Sequence, residues 1–236
     1  MEFTLLANAA IAAFAGWAML WWEGRRGNAD RCAGSLWDTA LIAVIVGIFV
    51  GRLVEMMING VMPWLHPGDI VLVRAGISTM GATLAAVGTF FWVSRREPVA
   101  MADGISAAAL ATLSGWHGGC AVRGACLGTV SDLPWAIAQE GSAVTRHPVE
   151  IYAAMLFAAA AVGLALWKAY GRPPAGVPAS LALLAAAGIR LITEPIRPSL
   201  GGGPVWFYVL GIVVGAVSAV FFWLRSRNPS PEPQTP

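Results

Sequence analysis

Apolar residues run along this chain in long blocks, interrupted by short clusters of arginine, glycine and proline. A membrane-crossing helix needs about 20 mostly apolar residues. Seven stretches approach that length: 4–22, 39–58, 75–93, 104–122, 151–167, 178–192 and 204–224. The sixth is short and ends in charge and proline. The fourth loses its bulky aliphatics in Gly115-Trp116-His117-Gly118-Gly119-Cys120. The pattern predicts an all-α membrane protein with one seven-helix domain over residues 1–227. The proline-rich tail, 228–236, is predicted to be disordered.

Composition agrees with the block pattern. Only 12% of the 236 residues are charged, and 57% are hydrophobic. Soluble domains carry about 25% charge, so a disordered chain and an ordinary cytosolic enzyme are excluded. The net charge of +2 gives no reason to expect a nucleic-acid partner. No basic stretch precedes the first apolar block, as a cleaved signal peptide requires. That block is therefore expected to be a retained helix.

The cations set the orientation. Nine of the fifteen Lys+Arg fall in the connections after blocks 1, 3 and 5 and in the tail; four fall on the opposite side, and Arg52 and Arg190 lie within blocks. Positive charge collects on the cytoplasmic side. The C-terminus is thus expected inside, the N-terminus outside, with the connections after blocks 2, 4 and 6 facing outward. The longest of these, 123–148, is of functional length. Tryptophans near the block ends, such as Trp21, Trp22, Trp92, Trp167 and Trp223, read as interfacial anchors. Glycines four apart (Gly47/Gly51, Gly115/Gly119, Gly211/Gly215) read as close helix packing within the chain, with a dimer contact as the alternative.

Charges inside a membrane are costly and mark either function or a paired structural site. Arg52 and Glu55 share a helical face, as a self-satisfied ion pair or as an arginine facing a lipid headgroup. Arg190, Glu194 and Arg197 stand at i, i+4 and i+7. Two guanidiniums around one carboxylate leave spare donors, which suits a phosphate clamp; a buried structural triad is the competing reading. Pro195 interrupts the helix between them. His117, Cys120 and Cys126 cluster at the end of block 4. Their spacing fits no standard metal site, leaving a disulfide on an oxidising face or a packed thiol pair. His147-Pro148, with Glu150 and Tyr152 following, opens block 5. This is either a titratable site near neutral pH or a proline-based helix start.

Together these residues resemble the prolipoprotein diacylglyceryl transferase family over nearly the whole chain. Gly51-Arg52-Leu53 resembles its G-R-hydrophobic element, and Ala75-Gly76-Ile77-Ser78 its G-G-M-S. Asp103 resembles the aspartate that opens its helix 4. Gly128 with Asp132-Leu133-Pro134-Trp135-Ala136 resembles its G…D-x-P-W-A/G segment. Arg146-His147-Pro148-Val149-Glu150-Ile151-Tyr152 is similar to R-H-P-x-Q-L-Y, and Arg190-x3-Glu194-x2-Arg197 to R-x3-E-x2-R. The family histidine of helix 3 is replaced by Met80. In the helix 4 signature its arginine falls on His117, its asparagines on Cys120 and Arg123, and its glutamate on Ala125. Gly119-Cys120 through Cys126-Leu127-Gly128 resembles a divergent branch.

The resemblance implies transfer of a diacylglyceryl group from phosphatidylglycerol to the lipobox cysteine of a prolipoprotein signal peptide. The reaction would occur at the outer face of a bacterial plasma membrane and need no cofactor or metal. A catalytic role is expected for Arg190 and for His117 or His147, either of which could serve as the base in place of the histidine replaced by Met80, with substrate binding by Arg52, Arg123, Arg146, Tyr152, Glu194 and Arg197. Two alternatives stand: a relative acting on another acceptor, and a non-catalytic phospholipid-binding protein.

Overall fold

A computed structural model describes residues 2–26, 35–65, 68, 77–122, 127–138, 141–197 and 204–227. Arg123, Cys126 and the tail at 228–236 lie outside these. Seven α-helices are present among the described residues: α1 (Glu2–Arg25), α2 (Leu36–Ile58), α3 (Thr79–Val93), α4 (Pro98–Val122), α5 (Val149–Gly171), α6 (Val177–Thr193) and α7 (Val205–Arg227). A pair of two-residue strands, β1 (Ile137–Ala138) and β2 (Thr145–Arg146), lies between α4 and α5.

The helix limits follow local chemistry. Ser35 caps α2 by accepting from the Asp38 amide, and Ser78 caps α3 by accepting from the Gly81 amide, each at 3.3 Å. Gly176 precedes α6 with φ +87°, a conformation glycine adopts without strain. Prolines stand just before or at the start of α4, α5, α6 and α7, where a missing amide donor costs nothing.

Among the described residues, four segments are long and apolar enough to cross a membrane: α2, α5, α7, and α6 with the short turn that follows it. Helices α1 and α4 have the length, at 24 and 25 residues, but are more polar. Helix α3 has 15 residues, short of the bilayer requirement of about 20.

The chain divides into two compact units. One holds residues 32–101, the other 3–31 with 102–236. In the first, α2 packs on α3 through its paired glycines. A methyl group added at Gly47 would lie 2.8 Å from the Ala86 side chain, and one at Gly51 2.7 Å from that of Ala82. In the second, a Cβ at Gly115 would lie 2.9 Å from the Ala12 backbone on α1, and one at Gly119 2.8 Å from Asn8. Gly215 of α7 lies equally close to the α6 backbone. All three glycine pairs thus serve packing within the chain. The second unit's core is Ala107, Leu110, Ala153, Phe157, Ala161 and Ile189 with their neighbours on α4, α5 and α6. Outward faces stay apolar, as at Val217 and Phe221 on α7, which suits a lipid surround. Arg25, Arg26, Arg95 and Arg227 each stack over a neighbouring tryptophan at a helix end.

Candidate functional site

The site assembles in the second unit, at the N-terminal end of α5. Pro148 ends the preceding extended segment, and Glu150 falls in the first turn of α5, where a carboxylate suits the helix dipole. Residue Glu150 is buried and divides its two oxygens between distant partners. His117, near the end of α4, contacts Oε2 through Nδ1. Arg197 donates from Nη1 to Oε1 at 2.6 Å. The His117 ring stacks flat on Phe157, with centroids 5.3 Å apart. One turn of α5 separates Glu150 from its apolar core, so the ion cluster sits directly above packed hydrocarbon.

Arg197 reaches Glu150 because the chain leaves the helical path. Helix α6 ends at Thr193, and Pro195 lies in a 3-10 turn over Glu194–Ile196. Arg197 is extended, with φ −84° and ψ 146°. The expected grouping of Arg190, Glu194 and Arg197 on one helical face is corrected here. Arg197 pairs with Glu150 instead, and Glu194 is buried with no ion pair among the described residues. Arg190 donates to the Tyr208 hydroxyl of α7 at 3.0 Å, and its guanidinium lies over that ring.

Several polar atoms at this end are buried yet unpaired among the described residues: Arg197 Nε and Nη2, Glu194 Oε2 and His147 Nδ1. Buried polar groups are almost always hydrogen-bonded, and an orphaned one costs about 1–3 kcal/mol. Glu194, Arg197 and His147 are brought to this end by the 3-10 turn and by the Gly128–His147 and Thr129–Ile196 backbone hydrogen bonds. The spare donors belong to a guanidinium whose planar fork matches phosphate or carboxylate.

The loop before α5 holds this arrangement in place. The Gly128 amide donates to the His147 carbonyl at 2.7 Å, and the Thr129 amide to the Ile196 carbonyl at 2.9 Å. Residues 129–131 pair antiparallel with 145–147, and Thr145 Oγ1 donates to the Ser131 carbonyl at 2.7 Å. Arg146 donates from Nη1 to the Gly128 carbonyl at 3.2 Å, so part of its fork is used by the loop. Trp135 Nε1 donates to the Tyr152 hydroxyl at 2.7 Å, and the Tyr152 ring meets His147 edge-on. Cys120 is disulfide-bonded. Arg52 lies in the other unit and is 4% exposed. Arg123 lies outside the described residues.

Glu150 and Tyr208 are the contributors that sequence reasoning did not single out as site residues. An acid at the head of an apolar block was a usable signal for Glu150. Nothing local marked Tyr208.

The fold and this site define a multi-helix membrane protein with a buried ionisable cluster and guanidinium donors unpaired among the described residues. The prolipoprotein diacylglyceryl transferase pattern matches residues 5–226, and the chain belongs to that family. Curated relatives agree at low identity. The phosphatidylglycerol–prolipoprotein diacylglyceryl transferase of Bordetella avium is 26% identical over 180 residues, covering 71% of this chain and 68% of the relative. That of Pseudoalteromonas translucida is 25% identical over 192 residues, covering 77% and 72%. One from a Shewanella species is 23% identical over 218 residues, covering 86% and 80%.

Proposed function

We propose that this chain transfers a diacylglyceryl group from phosphatidylglycerol to the lipobox cysteine thiol of a prolipoprotein. The proposed setting is the outer face of a bacterial plasma membrane, with seven crossings, the N-terminus outside and the C-terminus cytoplasmic. The observation that carries this reading is Arg197, whose Nε and Nη2 are buried without partners among the described residues and which shares the Glu150 carboxylate with the His117 imidazole.

The chemistry asks for two things at one place. A base takes the thiol proton, and cationic donors stabilise the phosphate as it leaves. His117 is the leading base, with His147 as the alternative. The thiolate attacks the glyceryl carbon bearing the phosphate. A carbon–sulfur bond forms, and the carbon–oxygen bond breaks. Glycerol phosphate departs with the bonding pair and takes the proton from the imidazolium, restoring the neutral base. Arg190 and Arg197 hold the phosphate in this scheme. The same proposal assigns substrate binding to Arg52, Arg123, Arg146, Tyr152 and Glu194.

A second reading has a specific basis. Met80 stands where the family carries a histidine, and Ala125 where it carries a glutamate. Another acceptor, or lipid binding without transfer, fits these losses. The test is transfer of labelled diacylglyceryl from phosphatidylglycerol to a lipobox peptide by purified protein. We expect transfer, and a loss of about 10²–10³-fold in Arg190→Ala. Arg190-dependent lipid binding without transfer would select the second reading.

A further inference from the structure

We infer that Glu150 is a positioning residue that sets the tautomer of His117 and the aim of Arg197 at once. The inference rests on the transferase reading for its kinetic consequences, but not for the arrangement itself. Glu150 sits in a buried first turn, and each of its oxygens meets a different partner, His117 Nδ1 and Arg197 Nη1. An ionised carboxylate only accepts hydrogen bonds. His117 must therefore carry its proton on Nδ1, which leaves Nε2 as the basic nitrogen when the ring is neutral. Stacking on Phe157 fixes the plane of the ring, so rotation cannot exchange the two nitrogens freely.

The second oxygen acts on the anion-binding side. By taking Nη1, Glu150 consumes one edge of Arg197 and leaves Nε and Nη2 unpaired. The two free donors lie along one edge of the guanidinium, the geometry that a phosphate oxygen pair accepts. One carboxylate thus couples a base to a cation contributed by residues 80 positions apart.

Glu150→Gln tests the inference because it preserves shape while replacing one acceptor with a donor. Its carbonyl should go to Arg197, where the hydrogen bond is charge-assisted. The amide NH2 then faces His117 Nδ1 and forces that nitrogen to accept, moving the proton to Nε2. We expect kcat to fall by about 10²–10⁴-fold, the range of a general base, with KM for phosphatidylglycerol changed less than about threefold. Combined with His117→Ala, Glu150→Gln should add almost nothing, since both remove the same function. Nitrogen-15 spectra of histidine-labelled protein give a readout independent of turnover. Wild type should show one neutral imidazole protonated on Nδ1, absent or reversed in Glu150→Gln. Unchanged kcat, multiplicative losses in the double variant, or a wild-type His117 protonated on Nε2 would each overturn the inference. If wild type transfers nothing yet shows the Nδ1 tautomer, the transferase reading fails while the positioning role stands.

Discussion

Helix α5 carries a buried ionic cluster near each end, and the two are built on opposite logic. Glu150 and Lys168 are 18 residues apart, about 27 Å along a helix, close to the hydrocarbon thickness of a bilayer. At the C-terminal end, Lys168 meets three acceptors. These are Glu23 Oε1 at 2.7 Å and the carbonyls of Asp103 and Gly104 at 2.7 and 3.2 Å. Two of these contacts are hydrogen bonds to carbonyls and the third is an ion pair, and Glu23 Oε2 is buried with no hydrogen-bond partner among the described residues. Asp103 in turn accepts from the Gly176 and Ala179 amides at 2.6 and 2.9 Å, closing the N-terminus of α6. At the other end, Arg197 spends one nitrogen on Glu150 and keeps two unpaired. The first cluster ties α1, α4, α5 and α6 together. The second leaves two donors of its cation without partners among the described residues.

The sharpest way to break this contrast is to remove each cation in turn. Lys168→Met leaves Glu23, which is fully buried, without its counter-charge. Breaking a buried pair costs about 3–5 kcal/mol, so thermal unfolding in detergent should move down by many degrees. Transfer per folded molecule should stay near wild type. Arg197→Lys should do the reverse. A lysine keeps the charge and can bond Glu150, but has no planar fork. The unfolding temperature should hardly change, while kcat/KM for phosphatidylglycerol falls by about 10–100-fold, or about 1.4–2.7 kcal/mol. Equal thermal losses in the two variants would erase the distinction.

A weaker effect follows from pH. Burial pushes the carboxyls of Glu23 and Asp103 up, against the lowering influence of Lys168 and, for Asp103, of the two amides it accepts. A raised folded value means the folded state binds the proton more tightly than the unfolded chain. Stability from these groups is therefore lost as pH rises from the ordinary carboxylate range through the folded value. Unfolding temperature should decline across that window in wild type, and decline less in Asp103→Asn. The smallest expected change is in Tyr208→Phe, which removes the hydroxyl partner of Arg190. It should cost about 1 kcal/mol or less in stability and reduce transfer only a few-fold.

The legible part of this fold was local. Apolar block length placed all seven helices, and glycines four apart marked the close packings at Gly47, Gly115 and Gly215. What escaped was tertiary or geometric. The spacing of Arg190, Glu194 and Arg197 assumes an unbroken helix, and the 3-10 turn at Pro195 carries Arg197 off that face toward α5. The His117–Glu150 contact joins residues 33 positions apart, and no periodicity encodes it. Lys168, the single lysine of the chain, read as a loop-side positive charge. Its stem buries instead, and its head finds Glu23 on α1. Helix α3 fell short because Ser78 caps it late, although apolar residues precede it.

Gly128 has a consequence for how this molecule can evolve or be edited. Its amide bonds the His147 carbonyl, its neighbour bonds Ile196, and a side chain there would overlap the Ile196 carbonyl oxygen. Any larger residue must push apart the segments that deliver His147 and Arg197. Thirteen positions on, residues 141–144 are exposed and suited to an inserted tag or label. Saturation mutagenesis across this loop should therefore trace a sharp boundary. Positions 142–144 should accept nearly every substitution, whereas Gly141, at φ +78°, should resist most and position 128 should accept none.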